Sequence, residues 1–325
     1  MQKHEWTQGI DFFAFDTLCS IRIMPYSRSA AAPILKDAWE TAHLVEQTLN
    51  MFDETSELSC LCNNYAISFP FQASAMLYSF IEDNLRIAAL TDGQFDFTVG
   101  ALIKLWDFLA DNPEVPAKEK IADLLQSVGY QHLSLLPERR SVVIDCKGIQ
   151  LDPGASGKGF ALDKVSVRLR QHHVQHAVLD FGGNIFTIGG KWDAVGSPGG
   201  RPWITALRNP TDPGSVIGSV PLVDAGIATS SWYEHCFKKD GEVYYHILNP
   251  YTGFPLPMEL KSMTIISPSA LYSDILSTAF FVLGLEKGMR LAEALKEDIG
   301  TIEYVAVTKD DRILSSPGAG FNSAA

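Results

Sequence analysis

Apolar residues recurring at three- and four-residue steps mark the first clear element. Leu35, Ala38, Ala42, Val45, Leu49 and Phe52 line one face of an amphipathic helix. A second helix runs from about Ser74, with Leu77, Phe80, Ile81, Leu85 and Ala88 as its inner stripe. Ahead of both, Phe12 to Met24 reads as an opening strand. Between Gly129 and Leu151 the pattern changes to short apolar runs, at His132 to Leu136, Ser141 to Asp145 and Gly148 to Leu151. Turn residues separate them, which predicts an antiparallel meander. A third helix is expected from near Gly157. Ala177 to Ile188, Trp203 to Leu207, Val216 to Val223, Glu242 to Leu248 and Lys261 to Ser267 all read as strands. Helices at Ala270 to Leu283 and Glu286 to Lys296 precede a last strand pair near Glu303 to Leu314. Helices interrupting runs of hairpin-like strands predict an α+β fold rather than a doubly wound parallel sheet. The linker-like stretches Asp111 to Ala117 and Val195 to Pro202 are short enough to be surface loops. The chain therefore reads as one unit over 1–325, with an ordered core from about 10 to 316 and a loose tail after Ser316.

Composition narrows the function classes. With 325 residues, 46% apolar and 20% charged, the chain can bury a large core. A net charge of −12 without a Lys/Arg cluster argues against nucleic acid or an anionic membrane surface as partner. No apolar run reaches the roughly 18 residues of a membrane span, and no signal peptide is legible at the N-terminus. A cytoplasmic location is expected, or an exported one if the N-terminus was processed. The five scattered cysteines read as reduced thiols, and the one-residue gap between Cys60 and Cys62 is wrong for a zinc knuckle.

Chemistry enters through the segment Ala270 to Leu283. It is apolar almost all round, yet Asp274 and Thr278 sit one turn apart on one face. A carboxylate in apolar surroundings costs several kcal/mol, to an order of magnitude, unless a cation or donor meets it. A positive group is therefore expected opposite Asp274.

Four further segments carry candidate chemistry. Leu151 to Asp163 (Leu-Asp-Pro-Gly-Ala-Ser-Gly-Lys-Gly-Phe-Ala-Leu-Asp) reads as a strand end, a glycine-rich turn and a helix start, where backbone N–H groups and Lys158 suit an anion. The spacing is not that of a Walker A loop, and the glycines alone could simply permit a sharp bend. Gly182 and Gly183, in Leu-Asp-Phe-Gly-Gly-Asn at 179–184, weaken a strand unless another group approaches closely. Asp96, between Phe95 and Phe97, suits either the edge of a bound ring or an Asx turn. His246, in His-Ile-Leu-Asn-Pro-Tyr-Thr-Gly-Phe-Pro at 246–255, suits either a structural role or proton transfer.

Together these segments, with Asp-Gly-Gln-Phe-Asp-Phe-Thr-Val-Gly at 92–100 and Ser-Asp-Ile-Leu-Ser-Thr-Ala at 273–279, resemble the ApbE-type flavin transferases in motif and in order. The resemblance spans about Phe12 to Ser316. It implies an ApbE-like, T-fold-like α+β arrangement of antiparallel or mixed sheets packed with helices. It also implies FAD as substrate and Mg²⁺ held by Asp274, Thr278 and main-chain oxygens of Ala155 and Ser277. FAD contacts are implied for Asp152, Lys158, Gln94, Phe95 and Asp96, and in the glycine pair segment for Gly183 and Asn184.

The implied reaction is Mg²⁺-dependent transfer of FMN from FAD to a Thr or Ser hydroxyl of an acceptor protein, with release of AMP. His246 and Asp274 are the expected catalytic residues, with His246 as general base. Alternatives are an FAD pyrophosphatase using the same site and a flavin-binding protein without turnover. Three departures from the family pattern bear on this choice. Thr229-Ser230-Ser231-Trp232-Tyr233 stands where members commonly have Thr-Ser-Gly-Asp-Tyr, which predicts an altered turn. Asn249 replaces the usual Asp before Pro250, and Phe15-Asp16-Thr17 matches Met-Gly-Thr only loosely.

Overall fold

A computed structural model of the chain describes residues 7–63, 68–193, 199–212, 214–257 and 259–324. In chain order it begins with β1 (Gln8–Ala14), β2 (Thr17–Met24), α1 (Arg28–Leu49), α2 (Glu57–Asn63), β3 (Phe71–Gln72) and α3 (Ala75–Leu90). Next come α4 (Gly100–Trp106), α5 (Lys118–Leu125), β4 (Leu133–Leu136), β5 (Ser141–Ile144) and α6 (Gly157–Gln171). The strands β6 (His176–Phe181), β7 (Asn184–Ile188), β8 (Trp203–Arg208), β9 (Val216–Leu222) and β10 (Gly226–Ser231) follow. The hairpin β11 (Cys236–Lys239) and β12 (Glu242–Tyr245) leads to β13 (Leu260–Ser267), α7 (Ala270–Leu283) and α8 (Leu285–Ile299). The chain closes with β14 (Glu303–Thr308), β15 (Ile313–Ser315) and β16 (Asn322–Ser323).

Eight strands form one sheet in the order β1-β2-β6-β7-β10-β13-β14-β15, antiparallel at every step. Helices α1, α6 and α7 pack side by side against it, with α7 lying over β10 and β13. That placement accounts for the nearly continuous apolar character of α7, which meets strands, α6 and α8 on different sides. Alternation along β10 and β13 sends Met263 and Ile265 into the main core and Ile227 and Ile266 into a second one, shared with β8 and β9. A third cluster, around Trp106, joins α4 and α5 to the β11–β12 hairpin.

The helix starts are set by hydroxyl caps. Ser27, Ser74 and Ser269 accept from the backbone N–H groups of Ala30, Leu77 and Tyr272 at the heads of α1, α3 and α7. Gly93, at φ +76°, closes α3 by donating to the Ala88 carbonyl.

Several sequence expectations need correction. Phe12 to Met24 is a hairpin, not one strand, because Phe15 and Asp16 both take positive φ and turn the chain without a glycine signal. Ala177 to Ile188 is likewise two strands, joined by Gly182 and Gly183. Gly148 to Leu151 is not a strand; Gln150 makes only a parallel bridge to Val99. The segment Thr229 to Ser231 is strand rather than turn, and the Trp232 N–H continues the ladder by donating to the Lys261 carbonyl. The tail after Ser316 is built in: β16 pairs with β9, and Ala319 and Phe321 join the second core. Residues 195–198 of the expected loop at Val195 to Pro202 lie outside the described residues.

Candidate active site

The site starts from one glycine. A Cβ on Gly159 would lie 2.4 Å from the Ala270 carbonyl oxygen, 2.7 Å from the Asp274 Cβ and 2.8 Å from the Leu271 Cα. Helices α6 and α7 therefore touch backbone to backbone at this point, and the contact fixes where Asp274 sits. The Gly159 N–H donates to Asp274 Oδ2 at 2.9 Å. Burial pushes the Asp274 carboxyl above its ordinary pKa, while the Lys158 ammonium and that N–H act in the opposite direction. Lys158 contributes positive charge toward Asp274, while the bonded donor is the Gly159 N–H.

The same ammonium bears on three groups of the site, besides the Cys19 thiol. It opposes the burial that raises Asp152, it bears on Asp274, and it helps to disfavour protonation of His246. Asp152 opens the glycine-rich turn. Its N–H donates to the Phe97 carbonyl and its Oδ1 accepts the Gly154 N–H at 2.8 Å, so the 92–100 and 151–163 segments run beside each other. Ala155 lies in that turn, where the Ser156 and Gly157 N–H groups both donate to the Pro153 carbonyl. Lys158, Gly157 and Asp152 also line an open cleft with Phe15, Asp16 and Glu46.

His246 follows directly on the end of β12. Its Nδ1 lies 2.9 Å from the Glu234 carbonyl oxygen. A carbonyl only accepts, so Nδ1 carries the proton and Nε2 keeps its lone pair. Burial of the ring, then the neighbouring His235 ring at 5.4 Å and Lys158, drive the imidazole down to about 4. At neutral pH this is an uncharged base with its acceptor nitrogen available.

On α7, the Ser277 hydroxyl donates to the Asp274 carbonyl at 2.8 Å, and the Ser230 hydroxyl of β10 lies 2.8 Å from Ser277 Oγ and 2.9 Å from Thr278 Oγ1. Asn184 begins β7. Its buried Nδ2 has no hydrogen-bond partner of good geometry, though the amide lies near enough to Asp274 to lower the carboxyl. Ser156 Oγ, fully buried at the head of α6, is also unpartnered. Among the described residues no three His, Cys, Asp or Glu side chains gather as a metal cluster. A cation here would rest on one carboxylate with hydroxyl and carbonyl oxygens, a donor set that fits a hard ion such as Mg²⁺.

A family model described as the ApbE family matches residues 15–302. The chain belongs to the ApbE family. It is 32% identical over 313 residues to the FAD:protein FMN transferase of Treponema pallidum (strain Nichols), covering 93% of this chain and 84% of that protein. It is 35% identical over 257 residues to a Klebsiella pneumoniae (strain 342) protein of the same name, covering 78% and 76%. Among solved structures, the ApbE protein of Thermotoga maritima superposes with a TM-score of 0.80 at 28% identity, over 96% of this chain and 97% of that one. The flavin transferase ApbE of Vibrio cholerae gives 0.79 at 26% identity, with the same coverage. The α+β fold expected from the sequence is the ApbE fold.

The other expected site residues have local contacts of their own. Both carboxylate oxygens of Asp96 are used locally: Oδ1 accepts from the Thr98 N–H and hydroxyl, and Oδ2 from the Tyr130 N–H. These bonds build the Asx turn that is one of the two readings of Asp96. Phe95 is a buried core ring. Gln94 lines a separate recess with Asn249, Pro250 and Tyr251. Gly182 is approached closely by the Thr17 side chain of the neighbouring hairpin, whereas nothing lies within 4 Å of a Cβ placed on Gly183. Asn249 Oδ1 accepts the Tyr251 N–H at 2.8 Å, so the amide holds the turn as an Asp would.

Asp163 carries no expected role in the sequence, yet it ties α6 to the head of α7. Its carboxylate accepts the Ser269 hydroxyl and the Ala270 and Leu271 N–H groups, capping α7 from α6. The signal was present as a charged residue on the otherwise core-facing stretch that follows Gly159. Ser230 was also passed over, although it lies in the Thr-Ser pair that the family motif retains.

Proposed function

We infer that this chain transfers FMN from FAD to a Thr or Ser hydroxyl of an acceptor protein and releases AMP. The observation that carries the reading is the head of α6, where Lys158 and Asp152 line one cleft and the next turn of the helix bonds Asp274 through the Gly159 N–H. Both the family membership and the names of the relatives support it.

The division of labour follows from the residues. Lys158, at the head of α6, meets the anionic pyrophosphate of FAD, where the helix dipole is favourable. Nε2 of His246 accepts the proton of the attacking hydroxyl. The acceptor oxygen forms a bond to the FMN phosphorus, the bond from that phosphorus to the bridging oxygen breaks, and AMP carries the bridging oxygen away. A divalent cation such as Mg²⁺ on Asp274, Thr278 and the main-chain oxygens of Ala155 and Ser277 would neutralise charge on the pyrophosphate. Gln94, Phe95, Asp96, Asp152, Gly183 and Asn184 are assigned to the flavin nucleotide on the resemblance alone.

Trp232 and Ser231, in place of the usual acid and glycine, keep a hydrolase reading open, with water as acceptor. AMP release from FAD and Mg²⁺, followed with and without an acceptor protein carrying a Thr/Ser target, separates the readings. AMP that depends on acceptor supports transfer. AMP at the same rate without acceptor supports hydrolysis, and no AMP under either condition contradicts both.

A further inference from the structure

The three hydroxyls between β10 and α7 form a chain whose direction can be worked out. Ser277 Oγ donates to the Asp274 carbonyl oxygen, which can only accept, so its one hydrogen is spent. The 2.8 Å contact between Ser230 and Ser277 must then be Ser230 donating. With the Ser230 hydrogen also spent, the 2.9 Å contact to Thr278 must be Thr278 donating to Ser230 Oγ. Thr278 Oγ1 is left with lone pairs only on its remaining side. Thr278 is half-buried rather than sealed, and Asp274, one turn away on α7, is likewise an acceptor-only group when ionised.

An oxygen that shows only lone pairs repels phosphate oxygens and attracts a cation. We propose that Ser230 is a positioning residue of this site: by taking the Thr278 hydrogen, it turns the Thr278 oxygen toward a bound divalent cation. This rests on the metal-assisted reading given above. Ser230 acts on the cation through Thr278, the ligand it bonds. Partners behind metal ligands commonly set affinity by about 10- to 100-fold, because they fix the orientation that the metal requires. The strand supplies rigidity: Ser230 is paired with Met263 in the β10–β13 ladder, so its hydroxyl is held from the sheet side rather than from a loop.

The test is Mn²⁺ binding, an ion with similar oxygen preference, titrated into the full chain with ADP present and followed by the electron paramagnetic resonance signal of free Mn²⁺. Ser230→Ala is expected to weaken binding by about tenfold or more, and Ser230→Thr, which keeps the hydroxyl, to restore it. The melting temperature without metal gives the structural control. If Ser230→Ala fails to fold, Ser230→Cys keeps the volume with a weak acceptor and carries the same expectation. Wild-type affinity in the Ala or Cys variant overturns the proposal, as does equal weakening in Ser230→Thr, which would report packing instead of hydrogen direction. Asp274→Asn marks the site by losing the Mn²⁺ that the wild type binds. A wild type that binds no Mn²⁺ even with ADP overturns the metal reading and this proposal together, an outcome distinct from a Ser230 failure.

Discussion

At the scale of single residues, the consequential group is an imidazole kept neutral. His246 donates through Nδ1 to the Glu234 carbonyl, and burial, His235 and Lys158 hold it at about 4, below its ordinary value of 6.5. The sign of the effect is fixed by the direction of that shift. The base form is complete at neutrality and is lost only as pH falls through about 4, so the acid limb of kcat/KM should lie near there and not near 6.5. Stability gained by burying the ring uncharged is likewise full above 6.5 and declines as pH drops from there through about 4. A pH profile of kcat/KM with its acid limb at the ordinary histidine value would contradict this environment for the base. His246→Ala should reduce transfer roughly 10²- to 10⁴-fold while FAD binding, followed by flavin fluorescence, persists. Equal loss of binding would make the residue structural.

Between elements, the α6–α7 contact is the device that assembles the site, and it rests on two residues of α6. Gly159→Ala places a methyl against the Ala270 carbonyl and the Asp274 Cβ, and should cost about 1–3 kcal/mol through overpacking. Urea unfolding should show that loss together with reduced FMN transfer, since the helices must part and carry Asp274 with them. Asp163→Ala removes three acceptor contacts from the head of α7 and should destabilise by roughly 1–2 kcal/mol, read in the same experiment. α7 itself was legible because Asp274 and Thr278 stood out on an apolar helix. The helix start at Gly157 was legible from the glycine-rich turn. The cap from Asp163 was not, because it joins positions about a hundred residues apart and leaves no local pattern. The Phe15–Asp16 turn is not legible because Phe15 takes positive φ with no turn signature and no glycine marks the pair.

For the whole molecule, one antiparallel sheet collects motifs that are scattered along the sequence. Strands β2, β6, β7, β10 and β13 are neighbours in the sheet, and α6 and α7 lie across them, so segments from 151 to 279 converge on Lys158. Order and type of most elements could be read from periodicity, but sheet order could not, since pairing joins strands far apart in sequence. The closing segment is the clearest case. A polar, glycine-containing tail reads as loose, yet β16 completes the sheet of β8 and β9 and brings Phe321 onto the second core. Truncation after Ser316 should therefore lower stability by about 1–3 kcal/mol from lost apolar burial, visible as a lower melting temperature in calorimetry; an unchanged midpoint would restore the loose-tail reading. The proposed function has Asp274 and His246 acting together in moving FMN onto a protein. Its most direct test is the intact mass of an acceptor protein after incubation with FAD, Mg²⁺ and either the wild-type chain, His246→Ala or Asp274→Ala. The account predicts an acceptor heavier by one phosphoester-linked FMN with the wild type and little or none with either variant. An unmodified acceptor with the wild type, or full modification with both variants, would contradict it.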